Sequence, residues 1–464
     1  MAHSPNFEGA RVTVVGLGIE GVDLVRFLTS RGATVTVSDA RTPEALAVPL
    51  AAIADTGAKL SLGANRPEDT TGADLVFASQ GVPRTLPALV AAREAGVPIS
   101  SMTALFLQSC PAPVAAVTGS SGKTTTTALV GAMLEAAGVD FVVGGNIGVG
   151  LLGLLDRITP QTTVMLELSH TQLESVDRSP HVACITNVTP NHLDQFSWDE
   201  YVALKRRIFQ FQTADDIAIF NLDNPVTAGF SGEAPGRVLQ TSMLHALPGD
   251  GVALSGDAIV RREHGTQTTV LQRDDIRLRG SHNVENVLSA VAIASQLGVS
   301  DQAARSAVRA FTGVPHRLET VDTVGGVTYV NDSIATSPER TLAGIRSYSE
   351  PLVLLLGGRH KALPLDDLAR EAVARARAVI AFGEAGELFA TAVRAARSGE
   401  HPPVELVGSV EDAVRAASRY AQAGDVVLFS PAGSSFDAYP NFERRGSAFR
   451  DAVASLRGNA RGAR

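Results

Sequence analysis

Apolar residues in the first hundred positions gather into short β-branched runs, Arg11–Val15, Thr34–Ser38 and Leu75–Ala78, separated by Ala/Leu-rich stretches of helical periodicity. This alternation predicts βαβ units and a parallel sheet. A proline-punctuated break at Cys110-Pro-Ala-Pro113 precedes a new strand, Val114–Val117, and a second series of the same kind continues to about residue 312. The junction Thr312-Gly-Val-Pro315 opens a third series, with strands expected at Val327–Val330, Leu352–Leu356, Ala378–Ala381 and Val426–Phe429. The pattern therefore predicts an α/β protein of three domains, residues 1–109, 110–314 and 315–464, without an internal repeat or low-complexity linker. A length of 464 residues agrees with three domains of about 150 each.

Composition narrows the function classes. A net charge of −8, with no block of lysine or arginine, argues against a nucleic-acid scaffold or a polybasic membrane anchor. The N-terminus lacks the basic and apolar regions of a signal peptide. The longest apolar candidate, Phe141 to Leu155, is Gly-rich, too short for a bilayer span, and reads as core and loop. Cys110 and Cys184 are isolated, without metal-ligand spacing or a disulfide framework, which fits a reducing compartment. The expectation is a cytoplasmic protein without nucleic-acid or membrane partners.

Two glycine-rich turns point to phosphate. Gly16-Leu-Gly18-Ile-Glu20-Gly21 follows a strand, opens a helix, and has Asp39 at the end of the next strand, the spacing of a Rossmann-like dinucleotide fingerprint. Taken alone it suggests NAD, or a tight turn that needs glycine for packing. The second turn, Val114-Ala-Ala-Val-Thr118-Gly119-Ser120-Ser121-Gly122-Lys123-Thr124, is a strand running into a P-loop of ATPase type. Its N–H groups can cradle phosphates, Lys123 can reach the β- and γ-oxygens, and the Thr124 hydroxyl can hold Mg²⁺. Two phosphate-binding domains in one chain favour ATP in one and a nucleotide-linked substrate in the other over a simple dehydrogenase.

Four lysines, Lys59, Lys123, Lys205 and Lys361, stand among 40 basic residues, so arginine serves wherever a generic positive charge suffices. The surviving lysines are candidates for work that needs a compact or deprotonatable amine. Glu167 ends the strand Thr163-Val-Met-Leu-Glu167, and His192 follows Ala183-Cys-Ile-Thr-Asn187, so both belong at the carboxyl edge of the central sheet, where they could complete a Mg²⁺ site beside ATP. Lys205 lies on a helix expected over Asp199–Phe209, beside Arg206 and Arg207, where a solvated basic face is the plain alternative. A neutral lysine near metal ions can add CO₂ and become a carbamate ligand; arginine cannot.

These segments, with Gly144-Gly-Asn146-Ile-Gly148, Gly280-Ser-His-Asn-Val-Glu-Asn286, Gly313-Val-Pro-His316-Arg317, Asn331-Asp332-Ser-Ile-Ala-Thr336, Gly357-Gly-Arg-His-Lys361 and Ser430-Pro-Ala-Gly-Ser-Ser435-Phe436-Asp-Ala-Tyr-Pro-Asn-Phe442, resemble the Mur ligases of peptidoglycan synthesis over essentially the whole chain. The C-terminal motifs are most similar to the D-glutamate-adding branch. The resemblance implies a Rossmann-like UDP-binding domain, a central ATPase domain and a Rossmann-like C-terminal amino-acid domain in a monomer. It further implies ligation of D-glutamate to UDP-N-acetylmuramoyl-L-alanine through an acyl phosphate. By the same resemblance Gly119, Ser120, Ser121, Gly122, Lys123, Thr124, Asn286, Arg317 and Asp332 bind ATP. Thr124, Glu167, His192 and carbamylated Lys205 hold Mg²⁺, and Lys123, Lys205, His192 and Glu167 carry catalysis. Gly18, Ile19, Glu20, Asp39, Arg41, Asn146 and Gln172 would meet the UDP substrate; Thr336, Lys361, Ser435, Phe436 and Phe442 would meet glutamate. The chain departs from the family pattern at Gln80, where proline is usual, and at His170, Thr171, Asn191 and Ile334. Ligation of L-glutamate or another amino acid, and an NAD-dependent oxidoreductase, are the competing readings.

Overall fold

The computed structural model describes residues 6–146, 150–191, 195–361 and 363–461. Among these residues the strands form three sheets. The first is wholly parallel: β1 (Arg11–Val15), β2 (Thr34–Asp39), β3 (Lys59–Leu62), β4 (Leu75–Ala78) and β5 (Ile99–Ser100) lie in the order β3-β2-β1-β4-β5. Strand order reverses between β1 and β4, and the turn after β1 opens at that switch point, where open α/β sheets bind ligands.

The central sheet contains β6 (Val114–Thr118), β7 (Phe141–Gly145), β8 (Thr163–Glu167), β9 (Val182–Ile185), β10 (Ile217–Asn221), β11 (Arg237–Ser242), β12 (Gly251–Ser255), β13 (Ala258–Glu263) and β14 (Thr266–Gln272), in the order β14-β13-β12-β11-β10-β9-β6-β8-β7. From β7 to β12 the pairs are parallel; β12, β13 and β14 pair antiparallel. The expected uninterrupted α/β series thus carries an antiparallel extension, where β-hairpin turns at Gly256 and Gly265, with φ of 58° and 80°, reverse the chain. Strand β6 is buried at all five positions, as a parallel strand covered on both faces must be.

The third sheet has β15 (Glu319–Val324), β16 (Val327–Asn331), β17 (Leu352–Gly357), β18 (Ala376–Phe382), β19 (Val404–Val407) and β20 (Val426–Ala432), ordered β15-β16-β20-β17-β18-β19. Only β15 is antiparallel to its neighbour.

Residues up to Arg277 together with Ser281–Phe311 form one compact unit; Leu278–Gly280 and the chain from Thr312 form the second. In the first unit one apolar core runs from Val14 and Phe77 of the first sheet and Leu24 of the helix Ile19–Ser30 to Leu166, Ile185 and Phe220 of the central sheet. Asp23, on the helix Ile19–Ser30, accepts the N–H groups of Leu152 (2.7 Å) and Gly153 (2.9 Å) and so ties the first sheet's leading helix to the segment after β7. None of the described helices is long and apolar enough to cross a membrane. Both cysteines are free and buried; burial pushes the Cys184 thiol up to about 12, which removes it as a nucleophile.

Candidate active site

The carboxyl ends of β6, β8 and β9 converge, since the three strands are adjacent and parallel. From β6 the chain enters the turn 119–122, and the helix Lys123–Ala136 begins from Gly122, whose φ of 82° lies in the left-handed region. A Cβ on Gly122 would stand 2.3 Å from Asn286 Oδ1, and one on Gly119 would stand 2.0 Å from Thr186 Oγ1. Only glycine therefore permits this turn. Asn187 braces it from β9: its carbonyl accepts the Ser120 N–H (2.9 Å) and its Oδ1 the Ser121 N–H (3.0 Å).

Both lysines reach the same carbonyl. Lys123 Nζ donates to Gly119 O at 2.9 Å, and Lys205 Nζ donates to it at 3.1 Å and to Thr118 Oγ1 at 3.1 Å. Lys205 is 1% exposed, on the buried face of the helix Trp198–Gln210. Ser197 starts that helix with a capping box to Glu200. Tyr201, one turn before Lys205, sets its ring 5.3 Å from the amine and its hydroxyl 3.1 Å from Ser120 Oγ. Burial, and then the charge of Lys123, hold the Lys205 amine well below its ordinary range, while Glu167 pulls the other way.

Glu167, 1% exposed at the end of β8, accepts from Asn146 Nδ2 at 2.9 Å through Oε1; its Oε2 is buried without a hydrogen-bond partner among the described residues. A buried carboxylate oxygen that no described residue satisfies, beside a phosphate-type turn, is the donor a divalent cation takes. His192 lies outside the described residues, as do Ile147 and Gly148 of the Asn146 segment. Among the described residues no three acidic, histidine or cysteine side chains cluster as a metal site by themselves. Thr171 and His170 belong to a short helix opened by Ser169, and the His170 ring packs edge-on to Phe196 at 5.4 Å.

At the first sheet, Asp39 takes the Leu17 N–H (2.7 Å) and a two-pronged contact from Arg41, through Nε at 3.0 Å and Nη2 at 2.7 Å. Burial opposes the charge, but Arg41 and the backbone N–H groups outweigh it and lower the carboxyl to about 2. Asp39 thus locks the turn that precedes Gly18. Ile19 is 63% exposed beside it. The Glu20 carboxylate, expected by resemblance at the UDP substrate, is taken up by Gln80, and Gln172 is buried with its Oε1 on the Ser169 N–H at 2.9 Å.

In the second unit the parallel strands β16, β20 and β17 are adjacent and end at one edge. The loops that follow them carry Asp332–Thr336, Ala432–Phe436 and Gly358–Lys361. Lys361 Nζ donates to Thr336 Oγ1 at 3.1 Å, and the backbones of Arg359 and Ser434 exchange two hydrogen bonds of 2.8 Å. Arg445, fully buried, donates to Gly433 O and Ser333 O at 3.0 Å each and so holds two of these loops together. Ser435 is buried, Phe436 is 65% exposed, and the Phe442 ring meets His316 edge-on at 5.9 Å. Arg317, assigned to ATP by resemblance, follows His316 on the segment leading into β15. Tyr201 and Arg445 carry structural weight that the sequence reading did not assign, because neither belongs to a glycine turn or a strand end.

Asp332 is buried, accepting from Ser430 Oγ (2.7 Å) and the Leu318 N–H (3.2 Å). Burial raises its carboxyl to about 7 against an ordinary value of 3.8. The folded state then keeps a proton that the unfolded chain has released, so stability falls as pH rises from about 4 to 7. Asp332→Asn removes that slope and leaves the protein more stable than the parent at pH 8, by up to about 4 kcal/mol. Urea unfolding at pH 5 and pH 8 measures it; parallel pH dependence in parent and variant contradicts the assignment.

A glycine-built strand-to-helix turn, two lysines on one carbonyl and a buried carboxylate thus meet at one edge of the central sheet, and the second unit gathers three loops at the edge of its own sheet. Three family domains match in chain order: "Mur ligase MurD-like, N-terminal domain" over residues 10–101, "Mur ligase middle domain" over 117–294 and "Mur ligase, glutamate ligase domain" over 316–433. The chain belongs to the Mur ligase family. It is 42% identical over 449 residues to the UDP-N-acetylmuramoylalanine--D-glutamate ligase of Symbiobacterium thermophilum, covering 96% of this chain and 98% of that one. It is 39% identical to the protein of that name from Roseiflexus sp., over 97% and 99% of the two chains. Among solved structures it shares the fold of UDP-N-acetylmuramate-alanine ligase MurC from Thermotoga maritima (TM-score 0.57, 19% identity, covering 96% and 99%). The same holds for MurF from Acinetobacter baumannii (0.60, 16%, covering 94% and 93%).

Proposed function

We propose that this protein is the cytoplasmic, monomeric ligase that joins D-glutamate to UDP-N-acetylmuramoyl-L-alanine at the cost of one ATP. Near-full-length likeness to two proteins of that name supports the substrate pair, and the convergence of Lys123 and Lys205 on Gly119 O carries the reaction type. Residues 1–109 hold the UDP moiety around Gly18, Ile19, Asp39 and Arg41. Residues 110–314 hold ATP at Gly119 to Thr124 and Asn286. Residues 315–464 receive glutamate at Thr336, Lys361, Ser435, Phe436 and Phe442.

In the first step an oxygen of the alanyl carboxylate attacks the γ-phosphorus, the bond to the ADP oxygen breaks, and an acyl phosphate forms. The glutamate amine then attacks the acyl carbon, loses a proton, and phosphate leaves with the former C–O bonding pair. Lys123 moves from Gly119 O onto the transferring phosphoryl group, where a compact cation offsets developing charge. Asn146 holds Glu167 and the substrate's acyl end; Lys361 pairs a glutamate carboxylate. Thr124, Glu167, His192 and Lys205 would hold Mg²⁺, which when bound neutralises phosphate charge. For Lys205 to join them, its neutral amine adds to CO₂, forming an N–C bond and releasing a proton to give a carbamate.

Phosphate release from Mg-ATP with UDP-N-acetylmuramoyl-L-alanine should require D-glutamate. Dependence on L-glutamate would make it the other enantiomer's ligase, and release with neither amino acid would remove the substrate assignment.

A further inference from the structure

We infer that Gln80 is a positioning residue of the diphosphate site, holding the Glu20 carboxylate away from the N–H groups that open the helix Ile19–Ser30. The inference rests on the reading of the first sheet as the carrier of the UDP moiety.

The turn after β1 has spent part of its hydrogen-bonding capacity internally. The Gly16 N–H donates to Ser38 O at 2.9 Å and the Leu17 N–H to Asp39, while a Cβ on Gly21 would lie 2.1 Å from Gly16 O. What the turn offers a diphosphate is the start of the helix, where the first N–H groups have no intrahelical partner and the Gly18 cap supplies no side chain. Glu20 sits in that first turn. A carboxylate there is itself an anion suited to a helix start, so it would both compete with a diphosphate and repel it.

The structure removes this conflict with one residue. Gln80, two positions beyond the end of β4, donates its backbone N–H to Glu20 Oε2 at 3.0 Å and its side-chain amide to Oε1 at 2.7 Å. Both carboxylate oxygens are thereby bound on the β4 side of the turn. The double contact needs an N–H at this position, which proline lacks, and an amide at the reach of glutamine. Gln80 and Glu20 are matched: the carboxylate in the turn is tolerable because the loop beside it supplies two donors.

The test is calorimetric binding of UDP to the full chain, with thermal unfolding run alongside to establish folding. Gln80→Ala should weaken UDP about tenfold, and Gln80→Pro, which removes both donors, should weaken it more. Adding Glu20→Gln to Gln80→Ala removes the freed charge and should return affinity to within about threefold of the parent. Recovery in the double variant separates this role from mere bracing of the loop, because two lost contacts would then be worse than one. Unchanged affinity in Gln80→Ala, or a double variant as weak as the single, overturns the inference while the parent's UDP binding stands. A parent chain that binds no UDP overturns the underlying reading and this inference with it.

Discussion

Replacing Lys205 by arginine should leave a folded protein whose ligase activity has dropped by about 10³ or more. The substitution keeps a long basic side chain and changes the protonation chemistry and shape of the head group. Lys205 is buried at the end of β6, its amine on Thr118 Oγ1 and Gly119 O and under the Tyr201 ring. A guanidinium can satisfy those acceptors, which is why folding should survive, but it cannot lose its proton at neutral pH to react with CO₂. Three measurements decide it. Thermal unfolding tests the fold, phosphate release tests activity, and ¹³C NMR of protein equilibrated with ¹³CO₂ tests for a carbamate signal present in the parent and missing in the variant. An active Lys205→Arg protein would sink the carbamate role outright. An inactive one with no carbamate signal in the parent would leave the amine itself as the working group.

The residues that punctuate the backbone were the most legible in the sequence. Gly119, Gly122, Lys123 and Thr124 announce a strand-to-helix phosphate turn because the conformation demands glycine there and nothing else fits. Lys205 stood out by scarcity among arginines, and the structure places it on the turn's own carbonyl. Strand positions were legible too, since β6, β17 and β20 are buried parallel strands that read as continuous apolar runs. Sheet order was not, nor was the antiparallel run from β12 to β14, whose pairing depends on tertiary packing that local periodicity does not encode. Least legible were the side-chain pairs. Glu20 and Gln80 are 60 positions apart, and Arg445 reaches back 112 positions to Ser333. Each looks alone like a surface polar residue, and its meaning appears only when the fold supplies the partner.

Glu167→Gln should separate stability from activity in opposite directions. In the metal-free protein Glu167 Oε1 has its partner in Asn146, while Oε2 is buried with no hydrogen-bond partner among the described residues. An amide of the same shape keeps the Asn146 contact and removes a buried charge whose Oε2 meets no donor, which should raise metal-free stability by about 1–3 kcal/mol, less the attraction to the Lys205 amine that is lost with it. The same change turns an acceptor into a donor at the oxygen that a divalent cation would use. Activity should therefore fall by about 10²–10³, with the Mg²⁺ concentration for half-maximal phosphate release moving upward. Urea unfolding in EDTA and a Mg²⁺ titration of phosphate release measure the two effects. A variant that is both less stable and normally responsive to Mg²⁺ would mean that Glu167 serves the fold and that the cation is held elsewhere. Higher stability with lost activity is the signature of a group held under tension for a ligand, since a purely structural residue gains nothing from carrying an unsatisfied oxygen into the core.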